Sequence, residues 1–290
     1  IPLIDIILHP VRFMDDIFLG VRSTDPAIRE KLARYAIDEA EIALAAGIQS
    51  AAAQRNFPIR PEDGSLLFLI QVREDRSQIS KGAFLDPRAY EPALRDLFGQ
   101  YDHVHIKRHP FQRADAAFDH LMSLAPSASE TDQNVDSLMS TGQITGVGSF
   151  SSSVGYEATY FGKTSHVLFR PPGQFALNGA VPSQDEYVGV YSAFLSVDFW
   201  ADLLSDQTPT QTMPGIAPLA KPNRLRASLR TDWGFSKIDT DFFVDQAVGQ
   251  QIRRLEARGA KDPPRHIRRD AFPIDVTGWL RLGKRALPLA

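Results

Sequence analysis

At 290 residues the chain can hold one large domain or two of ordinary size, and its 43% hydrophobic and 23% charged content argues against disorder along the whole length. The absence of cysteine excludes disulfides, thiolate metal sites and cysteine nucleophiles, and fits a cytoplasmic protein. The net charge of −3 conceals an asymmetry: residues 251–290 carry ten Lys/Arg against four Asp/Glu, or +6, which leaves −9 over residues 1–250. The first reading of such a tail is a solvated arginine-rich helix. The second is a peripheral contact with an anionic membrane surface or a polyanionic acceptor.

Residues 1–22 lack a clear period and predict one short strand plus loop. Asp25-Pro26 is a helix start, with aspartate as cap and proline in the first turn. Apolar positions then recur at helical spacing over 26–46, and Gly47 is expected to end that helix. A second short helix is expected over 48–54. Residues 58–64, bearing proline and glycine, form the best candidate boundary between domains. The longest apolar stretch near a strand, Leu66 to Ile70, is far short of a membrane span. No secretory signal is visible at the start, and the opening at Ile1 without methionine leads us to expect a processed or partial form of something longer.

Beyond the connector, strands alternate with helices. Strands are predicted at 66–71, 103–107, 144–147 and 166–169. Helices are predicted at 87–97 (capped by Asp86), 113–123, 130–138 and 154–161, the last stopped by Gly162. This alternation predicts an α/β fold with a right-handed parallel sheet. Residues 186–205 are expected to be helical, 206–222 a loop, 239–258 an amphipathic helix and 259–290 irregular.

Three short constellations fall where ligands bind in such sheets, at strand ends and helix starts. Gln71 and Asp75 stand four residues apart just past a strand. The carboxylate there reads as nucleophile, as base or as the cap of the next turn, and Glu74 adjoins it. Lys107, Arg108 and His109 close the next strand before Pro110, where cations and an imidazole can neutralise phosphates. Ser151, Ser152 and Ser153 open the helix that carries Gly155 and Glu157. The hydroxyls there read as caps or as anion ligands, and Glu157 as a capping-box residue or an acceptor for ribose hydroxyls.

Other patterns carry less. Asp239-Thr240-Asp241 mimics a metal-binding DxD, but acidic residues at a helix start favour the helix dipole, so no metal is expected. No Gly-rich phosphate loop is present, no zinc-type histidine pair occurs, and the basic tail lacks the aromatic interleaving of a nucleic-acid groove. No nucleic-acid partner is expected.

On these residues the chain resembles the capsule-polysaccharide group of GT-B glycosyltransferases, with two Rossmann-like domains, and is most similar to the retaining β-Kdo transferases. The resemblance covers residues 60–172. It rests on a QxxxD signature (Gln71 to Asp75), a Lys-x-His-Pro signature (Lys107 to Pro110), and a serine pair before Gly155-Tyr156-Glu157-Ala158 and Gly162-Lys163. Arg108 stands where the group often has proline, and proline is missing after Gly162-Lys163.

The resemblance implies transfer of Kdo or a related acidic sugar from a CMP-sugar donor to a glycan or glycolipid acceptor in bacterial surface polysaccharide synthesis. No cofactor beyond the donor is implied. Asp75 would be the nucleophile of a double displacement. Gln71 and His109 would complete the catalytic set. Lys107, His109 and Ser151 to Ser153 would hold the donor phosphate, and Glu157 the ribose. Residues 1–60 are then expected to be the end of a reduced or incomplete acceptor-side domain, 61–205 the nucleotide-sugar domain, and 206–290 a helical extension with the basic tail. Such an enzyme would be cytoplasmic, with the tail reaching the inner membrane. Two other functions fit the same residues: an inverting transferase or epimerase using a UDP- or GDP-sugar, and a non-catalytic nucleotide-binding subunit of an assembly complex.

Overall fold

A computed structural model of the chain describes residues 3–205 and 225–226, apart from positions 15, 57, 74, 110–115, 172 and 177–179. The chain begins with two antiparallel strands, β1 (Ile4–Leu8) and β2 (Leu19–Ser23), followed by helices α1 (Pro26–Ala33) and α2 (Glu39–Asn56). Then come β3 (Ser65–Ile70), a small hairpin of β4 (Ile79–Ser80) and β5 (Ala83–Phe84), α3 (Glu91–Phe98), β6 (His103–Arg108), α4 (Ala116–Ser123) and β7 (Ala128–Glu130). The remainder is α5 (Val135–Met139), β8 (Ile144–Ser149), α6 (Ser153–Ala158), β9 (Thr164–Val167), β10 (Gln174–Phe175), β11 (Glu186–Val190) and α7 (Val197–Leu204).

Five strands, in the order β7-β6-β3-β8-β9, form an all-parallel sheet with helices on both faces, compatible with a Rossmann-like fold. The central strand explains this arrangement. Its residues Leu66 to Leu69 are all buried, as a strand covered on both faces requires. Leu66 and Phe68 pack with Val104, Ile106, Leu94 and Phe118 on one face, while Leu67 and Leu69 pack with Leu138, Met139 and Val147 on the other. Gly146 and Gly148 leave β8 bare where Tyr101 and Phe68 press against it. A Cβ at Gly148 would lie 2.7 Å from the Phe68 ring, and one at Gly146 would overlap the Tyr101 hydroxyl.

A second, four-stranded sheet runs β1-β2-β11-β10. It joins the first strands of the chain to residues 186–190 and buries Val21 and Val188 against Ile28, Leu32, Phe199 and Leu203 of α1 and α7. Residues 3–205 all fall within one of two compact units, Ile1–Gln246; the other, Ala247–Ala290, lies outside the described residues. Among the described residues no helix is long and apolar enough to cross a membrane.

Several local expectations change. The N-terminal segment makes two strands rather than one. The helix expected over 26–46 breaks at residues 34–38, because the Ile37 amide donates to the Gly189 carbonyl (2.7 Å) and Ala36 bridges to Val190. The next helix then runs straight through Gly47. Residues 186–190 are strand, so only 197–204 of the helix expected over 186–205 forms as an α-helix. Residues 128–130 pair with β6 as an edge strand, and the helix expected over 130–138 starts at Val135 with Asn134 as its cap. Asp25 and Asp86 cap as expected, and Gly162, at φ +70°, ends the turn after α6. The expectations for 206–222, 239–258, 259–290 and the basic tail lie outside the described residues.

Candidate functional site

The parallel sheet reverses its winding direction between β3 and β8, and Leu69 pairs with Ser149 at that point. Chain segments leaving the carboxyl ends of these two strands therefore emerge side by side, which is where open parallel sheets hold ligands. Gln71 follows β3, and Ser151 follows β8.

Gln71 is the hub. Its Oε1 accepts from the Ser151 amide (3.0 Å) and the Ser151 hydroxyl (3.0 Å), while its Nε2 donates to Asp75 Oδ2 (2.9 Å) and Ser77 Oγ (3.1 Å). Every donor and acceptor of the amide is thus used once or twice, as its two lone pairs and two protons allow. Ser77 and Ser151 close the ring through their hydroxyls at 2.9 Å. Asp75 Oδ1 accepts from the Ser77 amide (2.9 Å), making the aspartate the cap of a single 3-10 turn over Arg76–Gln78. Of the readings open for Asp75, the cap is the one it performs in this structure. Each carboxylate oxygen keeps a further lone pair for another partner.

The neighbouring strand end supplies charge. Lys107 pairs in register with Leu69, one strand over, and is only 8% exposed. Among the described residues its side chain makes no hydrogen bond or ion pair. With no pairing among the described residues, its ammonium is available to an anion from outside the chain. Arg108 instead bonds Glu130 (2.5 Å) and lies over the Phe118 ring. The His109 amide donates to the Ile70 carbonyl (2.8 Å), which ties the residue to the end of β3. Pro110 lies outside the described residues.

A cavity of about 500 Å³ adjoins the ring, lined by Gln71, Arg73, Phe84, Arg88, Phe118 and Phe150 among others. A second, of about 460 Å³, lies at the opposite end of the sheet near Arg60 and Gln143, before the first residues of β3 and β8.

The serines divide their roles. Ser151 belongs to the ring. Ser152 caps α6 through the Val154 amide (3.3 Å) and donates its own amide to Ser149 Oγ (3.2 Å); Ser153 is the first helical residue. Glu157 departs from expectation. It is 4% exposed, and its Oε1 accepts from the Phe13 amide (3.1 Å) and the Arg12 amide. Burial pushes its pKa up to about 7, against the pull of those amides and of the Arg12 and Arg226 charges. Its carboxylate fastens the 11–13 segment to α6. Nearby His9 is buried against Phe18 and Phe175, and desolvation, with Arg226 adding to it, lowers its pKa to about 3.

The structure thus brings together Gln71, Asp75 and Ser151, with Lys107 and His109 at the adjacent strand end. It leaves Ser152 and Ser153 in the helix start and Glu157 in the core. Reading the sequence missed Ser77. The Asp-x-Ser spacing of a capped turn was the available signal for Ser77. No family model and no curated protein matches the chain.

Proposed function

We propose that the chain is a GT-B-type glycosyltransferase that retains configuration, moving Kdo or a related acidic sugar from a CMP donor to a glycan or glycolipid at the cytoplasmic face of the membrane. The observation that carries the reading is the Gln71–Asp75–Ser77–Ser151 ring at the switch point, with Lys107 at the end of the adjacent strand. In the proposed reaction an Asp75 oxygen bonds the anomeric carbon as the bond from that carbon to the CMP phosphate breaks. CMP departs with the electron pair, beside Lys107 and His109. An acceptor hydroxyl then displaces Asp75 and gives up its proton to a base. Gln71 orients the carboxylate throughout, because its amide fixes Oδ2 at 2.9 Å.

Intact-mass measurement after incubation with CMP-Kdo is expected to find the ketosyl adduct on Asp75. Asp75→Asn is expected to abolish transfer and to keep CMP binding. Undiminished transfer by that variant would remove the nucleophile assignment.

A second reading has one observation in its favour: both Asp75 oxygens already serve as acceptors within the chain. The aspartate is then only a cap, and the chain either inverts a UDP- or GDP-sugar or binds nucleotide without chemistry. Calorimetric titration with CMP, UDP and GDP separates these readings, and donor hydrolysis by the intact chain separates enzyme from subunit.

A further inference from the structure

The buried face of α2 is set by Ile42, Ala46, Gln49 and Ala53. Its opposite face is apolar too. Leu44 and Ile48 are 66% and 64% exposed, and Ala40, Ala43, Gly47 and Ala51 are exposed around them. An isolated surface helix normally turns a polar face to water, and a helix apolar on all sides is normally covered.

Gly47 adds an independent observation. It sits mid-helix, and a Cβ built there would meet nothing within 4 Å. Glycine in a helix interior costs about 1 kcal/mol relative to alanine. Among the described residues no contact requires that cost, whereas the close approach of another backbone would.

The charges indicate which backbone. The first turn carries Glu39 and Glu41, and the last carries Arg55. If a second α2 crosses antiparallel with Gly47 and Ile48 at the two-fold axis, Leu44 falls opposite Ala51, and Glu41 falls beside the other copy's Arg55. Both ends are then complementary, and the helix dipoles oppose.

We propose that this face of α2 is a self-association surface, through which two copies of the chain pair antiparallel about Gly47. A lipid surface fits less well, because α2 carries one arginine and two glutamates where a membrane-lying helix has a band of cations. A helix of this length is about 27 Å long, so the contact sits at the small end of specific interfaces and should dissociate on dilution.

Sedimentation equilibrium of the full chain over a wide dilution series is expected to show a monomer–dimer equilibrium. Ile48→Glu places two like charges at the axis and should weaken it by about a hundredfold or more. Glu41→Arg and Arg55→Glu should each weaken it about tenfold. An equal mixture of those two variants should recover it as a heterodimer, since each then meets its opposite at both ends. Because the chain has no cysteine, Ile48→Cys should cross-link to itself on oxidation. A chain that stays monomeric at every concentration overturns the proposal. So does a dimer indifferent to the charge variants, or vesicle flotation abolished by Ile48→Glu in a monomer.

Discussion

Two polar centres among the described residues spend their hydrogen bonds differently. At the carboxyl edge of the parallel sheet, a neutral amide distributes four bonds among Asp75, Ser77 and Ser151, beside a cavity of about 500 Å³. Beneath the 11–13 segment, Glu157 and His9 are sealed among aromatic rings and main-chain amides. The first centre orients groups that still have capacity for an outside partner. The second consumes its groups in joining the N-terminal segment to α6. The contrast bears on how titration is used to find sites: at Glu157 and His9 the dominant cause of the shift is burial, which marks packing here and not chemistry.

The largest expected effect comes from breaking the ring. Gln71→Leu keeps the side-chain volume and removes all four bonds, leaving the Ser151 amide and Asp75 without their partner. It should cost about 3 kcal/mol of stability, read as a lower urea midpoint, and should abolish donor binding. If stability is unchanged, the ring does not organise this edge and the contrast fails.

That edge was partly legible in the sequence. The contiguous apolar run of β3 is legible because a parallel strand is buried on both faces, and the shorter apolar signals of β6 and β8 follow from the alternation of strands with local helical crossovers. Gln71, Asp75 and the serines follow from strand ends alone. The second sheet was not legible, since β2 finds its partner β11 more than 160 residues later and 186–190 offers no local sign of that pairing. Bonding of residues 36 and 37 to the same distant strand broke the helix expected over 26–46. The surroundings of Glu157 were not legible for a related reason: it bonds the segment at Arg12 and Phe13, 145 and 144 residues away.

The next effect sharpens the second centre through pH. His9, with its pKa lowered from 6.5 to about 3, binds its proton only in the unfolded chain across that window, so its contribution to stability rises with pH there. Glu157, raised from 4.5 to about 7, holds its proton longer in the folded chain, so its contribution falls with rising pH over about 4.5 to 7. The two oppose between about pH 4.5 and 6.5. Glu157→Gln keeps an oxygen for the Arg12 and Phe13 amides and removes the second trend. The variant should gain about 2 kcal/mol relative to the parent on going from pH 5 to pH 8, measured by urea unfolding at both. Equal slopes for the two proteins would mean that Glu157 is not buried as described.

The smallest effect tests which centre is held ready for a ligand. Lys107 is 8% exposed as a residue and its ammonium has no pairing among the described residues, so the charge contributes little to the fold when no anion is bound. Lys107→Met has nearly the same volume and no charge to desolvate. It should therefore leave stability within about 1 kcal/mol of the parent's, while CMP affinity measured by calorimetry falls about tenfold or more. A residue that serves only packing would move stability alone, and one paired within the fold would lose stability on substitution. Lost affinity at unchanged stability is what a strand end reserved for a phosphate requires, and a loss of stability with unchanged affinity would transfer Lys107 to the structural side of the comparison.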